Sequence, residues 1–220
     1  MALVKLSSQS DSESSLTKGK KKIKKISMYI LGSHNSWSYA KPRKWWMKLI
    51  RFTAKCQDYD IYSQYRDYGV RCFDLRVRYD GNELVVAHGI IEYKISETEV
   101  YSCLEWFEKC GDVCVRLIHE VRSEKERTEE RVKKFKEFCS RVEKRYPSVK
   151  FWCGMNLLPQ QTVEYDFEYK PTCEELYASV CPPKLIDDWY PRHYAKKHNH
   201  ENREKGTDKD ILLIDFVNYK

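Results

Sequence analysis

Two histidines and an arginine lie at positions that would suit the cleavage of a phosphodiester. His34 follows a short apolar run, His88 ends another, and Arg76 lies between them in the segment Phe73-Asp74-Leu75-Arg76. Since a histidine can take up or release a proton near neutral pH, two of them can act as the base and the acid of an in-line displacement at phosphorus. A guanidinium offers a planar fork to two phosphate oxygens and stays charged. These residue types therefore indicate an anion pocket with acid–base chemistry.

Two aspartates complete this candidate site. Asp74 precedes Arg76 by two positions, so both side chains point to the same face of a strand. Asp215 lies in the apolar run 211–217 near the C-terminus, which reads as the last strand. In a closed barrel the last strand lies beside the first, so Asp215 could reach His34 from the other end of the chain.

Further polar residues near predicted strand ends could line the same pocket. His119 and Glu120 follow one strand, and each fits either a pocket position or a satisfied position at the rim. Three residues are candidates for binding a ligand only because they are polar or aromatic and close to predicted strand ends, namely Arg116, Asp166 and Tyr169.

Strands that alternate with helices are expected to position these residues. Ser96, Ser123 and Thr172 each begin a capping-box pattern that predicts a helix start, and Asp80-Gly81 predicts a tight turn. We therefore expect parallel βα units arranged as a distorted TIM-type α/β barrel, which need not be complete, with its working residues at the C-terminal strand ends. The predicted strands are 26–31, 70–77, 83–88, 113–118 and 211–217, with weaker patterns at 149–153 and 162–167, and residues 42–55 predict a helix.

The composition predicts one folded domain with a tail. Residues 26–220 form the expected domain, and residues 1–25, rich in serine and lysine, form an expected disordered tail. No apolar run approaches the roughly 20 residues needed to cross a bilayer, and the start of the chain has no secretory apolar stretch. The chain has nine cysteines, which are either reduced thiols or disulfides. Five of them lie inside apolar patterns that favour reduced core thiols in a cytoplasmic protein, namely Cys103, Cys110, Cys114, Cys139 and Cys153.

The positive charge is concentrated in two segments. The formal net charge is +7, yet residues 1–25 carry seven lysines against two acids, and residues 41–55 carry six basic residues and no acid. This pattern argues against a general nucleic-acid surface and favours a local anionic contact. Within 42–55, Trp45 and Trp46 lie beside Lys44 and Lys48. The tryptophans either pack on the barrel or enter lipid headgroups while the lysines meet anionic lipid.

Several of these stretches together resemble the catalytic X domain of phosphatidylinositol-specific phospholipase C, in its small bacterial type. The resemblance is good in the first half and at the C-terminus and poor over residues 120–205. It implies a distorted βα barrel that cleaves phosphatidylinositol into diacylglycerol and inositol 1,2-cyclic phosphate without a metal. The similar stretches are 32–36, 57–60, 68–76, 88–89 and 213–218.

The resemblance also implies a role for each candidate. His34 would be the base for the inositol 2-hydroxyl, and His88 the acid for the departing diacylglycerol oxygen. Arg76 would hold the phosphate, and Asp215 would orient His34. Asp74 would either contact the substrate or only support Arg76.

The bacterial type also carries a short membrane-touching helix at the position of residues 42–55. This favours membrane contact through Trp45, Trp46, Lys44 and Lys48. The expected partners are a phospholipid with an inositol headgroup and an anionic membrane surface, bound peripherally by a monomer. No nucleic acid is expected.

Two positions depart from the bacterial pattern. Asn35, also a candidate for substrate binding, replaces an aspartate, and Ile118 falls where a polar residue is usual. The calcium-dependent branch of the family needs carboxylates near positions 76 and 118, and Asn35 and Asp74 alone are too few for calcium. We therefore expect no metal and no other cofactor. The alternative is a catalytically degenerate module that binds inositol phosphate or anionic membrane. A related phosphodiesterase with a barrel fold is a disfavoured alternative, because it would need a cluster of metal-binding carboxylates where Arg76 lies.

Overall fold

A curled sheet forms the centre of the molecule. The structure, a computed structural model, describes residues 29–121, 123–157, 162–164, 176–180, 190–205 and 211–219. Its strands are β1 (Ile30–Ser33), β2 (Cys72–Asp80), β3 (Glu83–His88), β4 (Ile91–Glu92), β5 (Cys114–Val121), β6 (Lys150–Leu157), β7 (Thr162–Glu164), β8 (Leu176–Ser179) and β9 (Ile211–Ile214). Its helices are α1 (Met47–Ile50), α2 (Ile61–Tyr68), α3 (Glu97–Cys110), α4 (Glu129–Arg145) and α5 (Pro191–Lys205).

The strand order makes this sheet a half-barrel of parallel strands. The path runs β7-β6-β5-β2-β1-β9-β8, with β3 and β4 as a side branch on β2. Neighbouring strands in the stretch β6-β5-β2-β1-β9-β8 are parallel to each other, whereas β7 is antiparallel to β6. Across the described residues the path has two free ends, so the sheet is a curled half-barrel within a mixed α/β domain.

The alternation of side chains along each strand separates the core from the concave face. In β2, Phe73 faces the helices and stacks on Phe107 of α3 with ring centroids 4.7 Å apart. Phe135 and Phe138 of α4 belong to the same buried cluster. Because successive strand residues point to opposite faces, Asp74 and its alternate neighbours point into the concave side.

Local sequence signals located several elements well. The pattern at Ser96 is confirmed as a capping box, since the Ser96 side chain accepts from the Glu99 backbone N–H and the Glu99 side chain accepts from the Ser96 backbone N–H. The strand predicted at 83–88 is observed with those bounds. The turn before it contains Gly81 with φ of +60°, a backbone conformation that favours glycine.

The helix predicted over residues 42–55 is wrong for most of its length. Helix α1 covers only four residues, and a 3-10 turn, Arg51–Thr53, follows it. Pro42 instead pairs with Tyr93 in an isolated antiparallel bridge, and the Arg43 N–H donates to the Glu92 carbonyl at 2.7 Å. Backbone groups that pair with another strand cannot form helical hydrogen bonds, so the start of this segment is extended.

One further predicted helix start is wrong, and a second lies outside the described residues. The pattern at Ser123 forms only one 3-10 turn, and α4 begins after Thr128, whose hydroxyl accepts from the Arg131 N–H at 3.3 Å. Residues 165–175, which include Thr172 and the candidates Asp166 and Tyr169, lie outside the described residues. The next described segment is strand β8, which pairs along its whole length with β9, so the predicted helix does not extend into residues 176–179.

Most other differences concern strand ends. Strand β1 begins at Ile30, and the predicted start at residue 26, like the predicted tail, lies outside the described residues. Strand β9 ends at Ile214, so Asp215 follows the strand instead of lying inside it. The seven cysteines in the described part of the chain are free thiols.

Candidate functional site

The first and last strands bring His34 and Asp215 together. Strands β1 and β9 are parallel neighbours with Ser33 opposite Ile214, so the residues that follow each strand emerge side by side. The His34 N–H donates to the Ile214 carbonyl at 2.9 Å, which continues the pairing by one residue. This adjacency arises from direct strand pairing and needs no closed barrel.

The buried ring of His34 has partners on both nitrogens. Its Nδ1 lies 2.7 Å from Oδ1 of Asp215, and its Nε2 lies 2.8 Å from Nη2 of Arg76. A guanidinium can only donate, so Nε2 must accept, and the remaining proton lies on Nδ1 and is donated to Asp215. This tautomer leaves a lone pair on Nε2, which is the state that a general base requires.

The second histidine contacts the first edge to face. The rings of His34 and His88 lie 5.4 Å apart between centroids and meet edge to face at 88°. Nδ1 of His88 lies 3.1 Å from the carbonyl oxygen of Ala54, to which it can donate. Burial, together with the nearby charge of Arg76, lowers the pKa of His88 to about 4, so this ring is neutral at pH 7.

A buried network of charges fixes Arg76 between the two histidines. Its Nε donates to Oδ2 of Asp74 at 2.8 Å, and its Nη1 donates to Oε2 of Glu120 at 3.2 Å. Burial would lower the pKa of Arg76, but the two carboxylates outweigh it and raise the pKa above its usual value. Arg76 therefore stays charged, and its position is set by two anchors.

Asp74 lies at the centre of this network. Its carboxylate accepts from Arg76, from Nη1 of Arg116 at 3.1 Å and from the Asn35 backbone N–H at 2.9 Å. Burial would raise the pKa of Asp74, but the two guanidinium groups and His34 hold it well below its usual range. All these contacts are with other residues of the chain. They therefore fit the role of supporting Arg76 better than the role of contacting the substrate.

Glu120 connects the arginine to the turn that carries His88. Its other oxygen accepts from the Gly89 backbone N–H at 2.7 Å, while Nη1 of Arg78 donates to the Gly89 carbonyl at 2.8 Å. Arg78 is itself paired with the buried Glu92 at 2.7 Å. The turn after β3 is thus fixed through both of its backbone groups, and this positions the His88 ring.

The alternation along β5 explains why Glu120 reaches the site and His119 does not. Arg116 and Ile118 stand opposite Asp74 and Arg76 in the strand register, and Glu120 follows on the same face. His119 points to the other face, where it stacks on Phe135 at 4.9 Å. The rule that alternate residues of a strand share a face would have placed Arg116 and Glu120 in the site and His119 outside it.

Three positions of the site carry no clear signal in the sequence. The Ala54 carbonyl accepts from Asn35 Nδ2 at 3.3 Å, from the Tyr93 hydroxyl at 3.0 Å and from His88. Nε2 of Gln57 donates to the His34 carbonyl at 3.0 Å and to the Ile214 carbonyl at 3.1 Å, which ties together the ends of β1 and β9. The thiol of Cys56 lies 4.0 Å from Nδ1 of His88.

The predicted membrane-contact residues lie in and just before helix α1, where most side chains are exposed. The side chain of Trp45 is 75% exposed and that of Leu49 is 70% exposed, with Trp46 and Phe52 also exposed. The alternative that the tryptophans pack on the barrel does not hold for Trp45, and Met47 is the buried residue of this helix instead. Among the described residues, the structure has no helix long and apolar enough to pass through a membrane.

Comparison with known proteins supports the fold. The chain is similar to the phosphatidylinositol-specific phospholipase C from Listeria monocytogenes, with a TM-score of 0.53 and 16% sequence identity over 86% of this chain and 88% of that one. No protein-family model and no curated protein sequence matches the chain. At this identity the likeness shows a distant relationship in fold alone, in keeping with the half-barrel architecture described above.

Proposed function

We propose that the protein is a phosphodiesterase that cleaves phosphatidylinositol in the manner of a metal-independent phospholipase C. The observation that carries the proposal is the pair of imidazoles 5.4 Å apart with the Arg76 guanidinium beside them. A phosphate held by Arg76 would have one ring on the side of the attacking oxygen and the other on the side of the leaving oxygen. In-line displacement needs a proton acceptor and a proton donor in these two places.

The chemistry follows from the hydrogen bonds of each ring. Nε2 of His34 takes the proton of the inositol 2-hydroxyl, whose oxygen bonds to phosphorus to form the cyclic phosphate. The bond from phosphorus to the diacylglycerol oxygen breaks, and His88 gives its proton to that oxygen. Asp215 stabilises the imidazolium formed on His34, while Arg76 holds the phosphate oxygens as charge shifts among them.

His88 must gain a proton before it can act as the acid. Its pKa of about 4 reflects burial first and then the nearby positive charge of Arg76, both of which act in the ligand-free pocket. A bound phosphate anion would offset the charge of Arg76 and attract a proton to His88. Substrate binding would therefore itself help to charge the acid.

The proposal is tested by incubating the full chain with phosphatidylinositol vesicles and a chelator of divalent cations. Release of inositol 1,2-cyclic phosphate and diacylglycerol is expected, and phosphatidylcholine vesicles serve as the headgroup control. Turnover that disappears with the chelator would contradict the metal-free mechanism. Vesicle binding without any turnover between pH 5 and 9 would instead select a binding module, the candidate favoured by the neutral state of His88 at pH 7.

We also propose that the segment around Trp45 binds the membrane surface peripherally. Exposed aromatic and apolar side chains lie next to Lys44 and Lys48, and each basic residue near an anionic surface contributes about 1 kcal/mol. Trp45→Ala is expected to weaken binding to anionic vesicles about 10- to 100-fold, because burial of a large apolar side chain stabilises by roughly 1.5–3 kcal/mol. Vesicle co-sedimentation measures this loss.

A matched aromatic elsewhere on the surface provides the control for this prediction. Tyr62 in α2 is 52% exposed, so Tyr62→Ala removes a similar exposed ring from a different face. Vesicle affinity should stay unchanged in that variant. Equal losses in the two variants, or none in Trp45→Ala, would rule out the segment as the membrane contact.

The substitution Asn35→Asp is expected to shift the pH dependence of catalysis to higher pH. Asn35 and His88 both contact the Ala54 carbonyl, at 3.3 and 3.1 Å, so a carboxylate at position 35 would lie close to the ring. A nearby negative charge favours the protonated form of histidine and raises its pKa. Because the acid must be protonated, kcat/KM of the native chain should fall as pH rises above about 4–5. The kcat/KM of Asn35→Asp should fall only at a higher pH.

Nuclear magnetic resonance titration of the His88 ring tests this shift without relying on turnover. The midpoint should move upward in Asn35→Asp, and Asp67→Asn, on the outer surface, should leave it in place. An unchanged midpoint in Asn35→Asp would show that position 35 does not act on His88.

A further inference from the structure

A third side chain with metal-binding chemistry lies beside the His34–Asp215 pair. A ring nitrogen of His34, the Sγ of Cys56 and a carboxylate oxygen of Asp215 lie within 4.8 Å of one another, and all three residues are buried. The mechanism above uses the imidazole and the carboxylate but leaves the thiol without a task. The Cys56 thiol is also surrounded by polar atoms, since it lies 3.5 Å from the Ala54 carbonyl oxygen as well as near His88.

We propose that His34, Cys56 and Asp215 form a binding site for a thiophilic divalent cation such as Zn²⁺, and that the ion inhibits the protein. Nitrogen, thiolate sulfur and carboxylate oxygen are the three ligand types of zinc sites, with bonds of about 2.0–2.3 Å. Ligand atoms around one tetrahedral ion are therefore about 3–4 Å apart, so shifts on the order of 1 Å would close this site.

The charges of the three groups suit a divalent cation. On binding, Cys56 releases its thiol proton to solvent and the thiolate binds the ion. With the carboxylate of Asp215, two negative charges then balance the two positive charges of Zn²⁺. The cationic Arg76 lies on the other side of the imidazole, at Nε2, and does not compete for the ligand atoms.

The inhibition rests on the proposed function and follows from the tautomer of His34. Nδ1 is the nitrogen that faces Asp215 at 2.7 Å, so it is the one placed to bind the ion. A neutral imidazole that binds a cation through Nδ1 carries its proton on Nε2. A protonated Nε2 has no lone pair with which to accept the substrate proton. It also can no longer accept the hydrogen bond from Nη2 of Arg76. The ion therefore blocks the base without entering the anion pocket.

Cobalt(II) provides a readout of the site that does not depend on activity. The full chain is titrated with Co²⁺, and a thiolate-to-cobalt absorption band is expected to saturate at one equivalent and to disappear when Zn²⁺ is added. Cys56→Ser and Cys56→Ala should lose the band, whereas Cys103→Ser, which changes a buried thiol of α3, should keep it. Competition with a chelator should show Zn²⁺ affinity falling about 100-fold or more in the Cys56 variants, since even supporting residues contribute 10–100-fold.

The outcomes separate the metal site from the proposed function. A wild-type chain without the band, or a band that survives in both Cys56 variants, overturns the site. Hydrolysis that Zn²⁺ slows in the wild type and not in Cys56→Ala supports both parts of the proposal. Hydrolysis that continues with Co²⁺ or Zn²⁺ bound overturns the inhibition. A chain that binds Co²⁺ through Cys56 but hydrolyses no phospholipid keeps the metal site and removes the phosphodiesterase.

Discussion

His34→Ala is expected to lower kcat for phosphatidylinositol by about 10²–10⁴-fold, the usual contribution of a positioned general base. The reason lies in the two contacts of the ring. Asp215 holds the proton on Nδ1, and Nε2 thereby keeps the lone pair that accepts the substrate proton. Alanine provides no acceptor in that place. KM should change little, because Arg76 and its anchors remain to hold the phosphate.

Steady-state release of inositol cyclic phosphate measures this effect. His200 on α5 is exposed, so His200→Ala is the matched control and should retain full activity. Far-ultraviolet circular dichroism and the midpoint of thermal unfolding establish that both variants are folded. If a folded His34→Ala turns over at the native rate, His34 is not the base and the proposed mechanism is wrong.

The sequence predicted the parts of the fold that depend on neighbouring residues. The capping box at Ser96 and the hairpin turn at Gly81 each use a few adjacent side chains or backbone angles, and both are observed. The segment at 42–55 had helical periodicity, yet residues 41–43 pair with 92–94, a contact between distant parts of the chain. Tertiary pairing of this kind has no local signature, which is why that helix could not be excluded.

The same limit applies to the candidate site. The adjacency of His34 and Asp215 could be predicted from the order of the strands. The shared face of Asp74 and Arg76 could be predicted from the two-residue period of a strand. The Ala54 carbonyl could not be found, because any residue type supplies a backbone carbonyl and only the path of the chain aims it at His88. Nothing in the sequence singles out Cys56, and only the structure shows its polar surroundings.

Asp74→Asn is expected to destabilise the fold by about 3–5 kcal/mol, whatever reaction the protein catalyses. The Asp74 carboxylate is fully buried and accepts from two guanidinium groups, those of Arg76 and Arg116. Asparagine has nearly the same shape but no charge, so Arg116 and Arg76 each lose an ion pair with Asp74, and Arg76 keeps its pair with Glu120. Chemical denaturation at pH 7 measures the free energy of unfolding. Asp67→Asn, which breaks an exposed pair with Arg66, should leave stability unchanged.

The pH dependence of the same variant identifies the cause of the loss. The pKa of Asp74 is depressed in the folded state, so its stabilising effect is complete above the unfolded pKa of about 3.9 and is lost as pH falls through the lower folded value. The free energies of unfolding of the native chain and of Asp74→Asn should therefore differ by a constant amount between pH 5 and 7 and converge below about pH 4. A difference that persists unchanged below pH 4 would show that packing, and not the buried charge, sets the stability of this network.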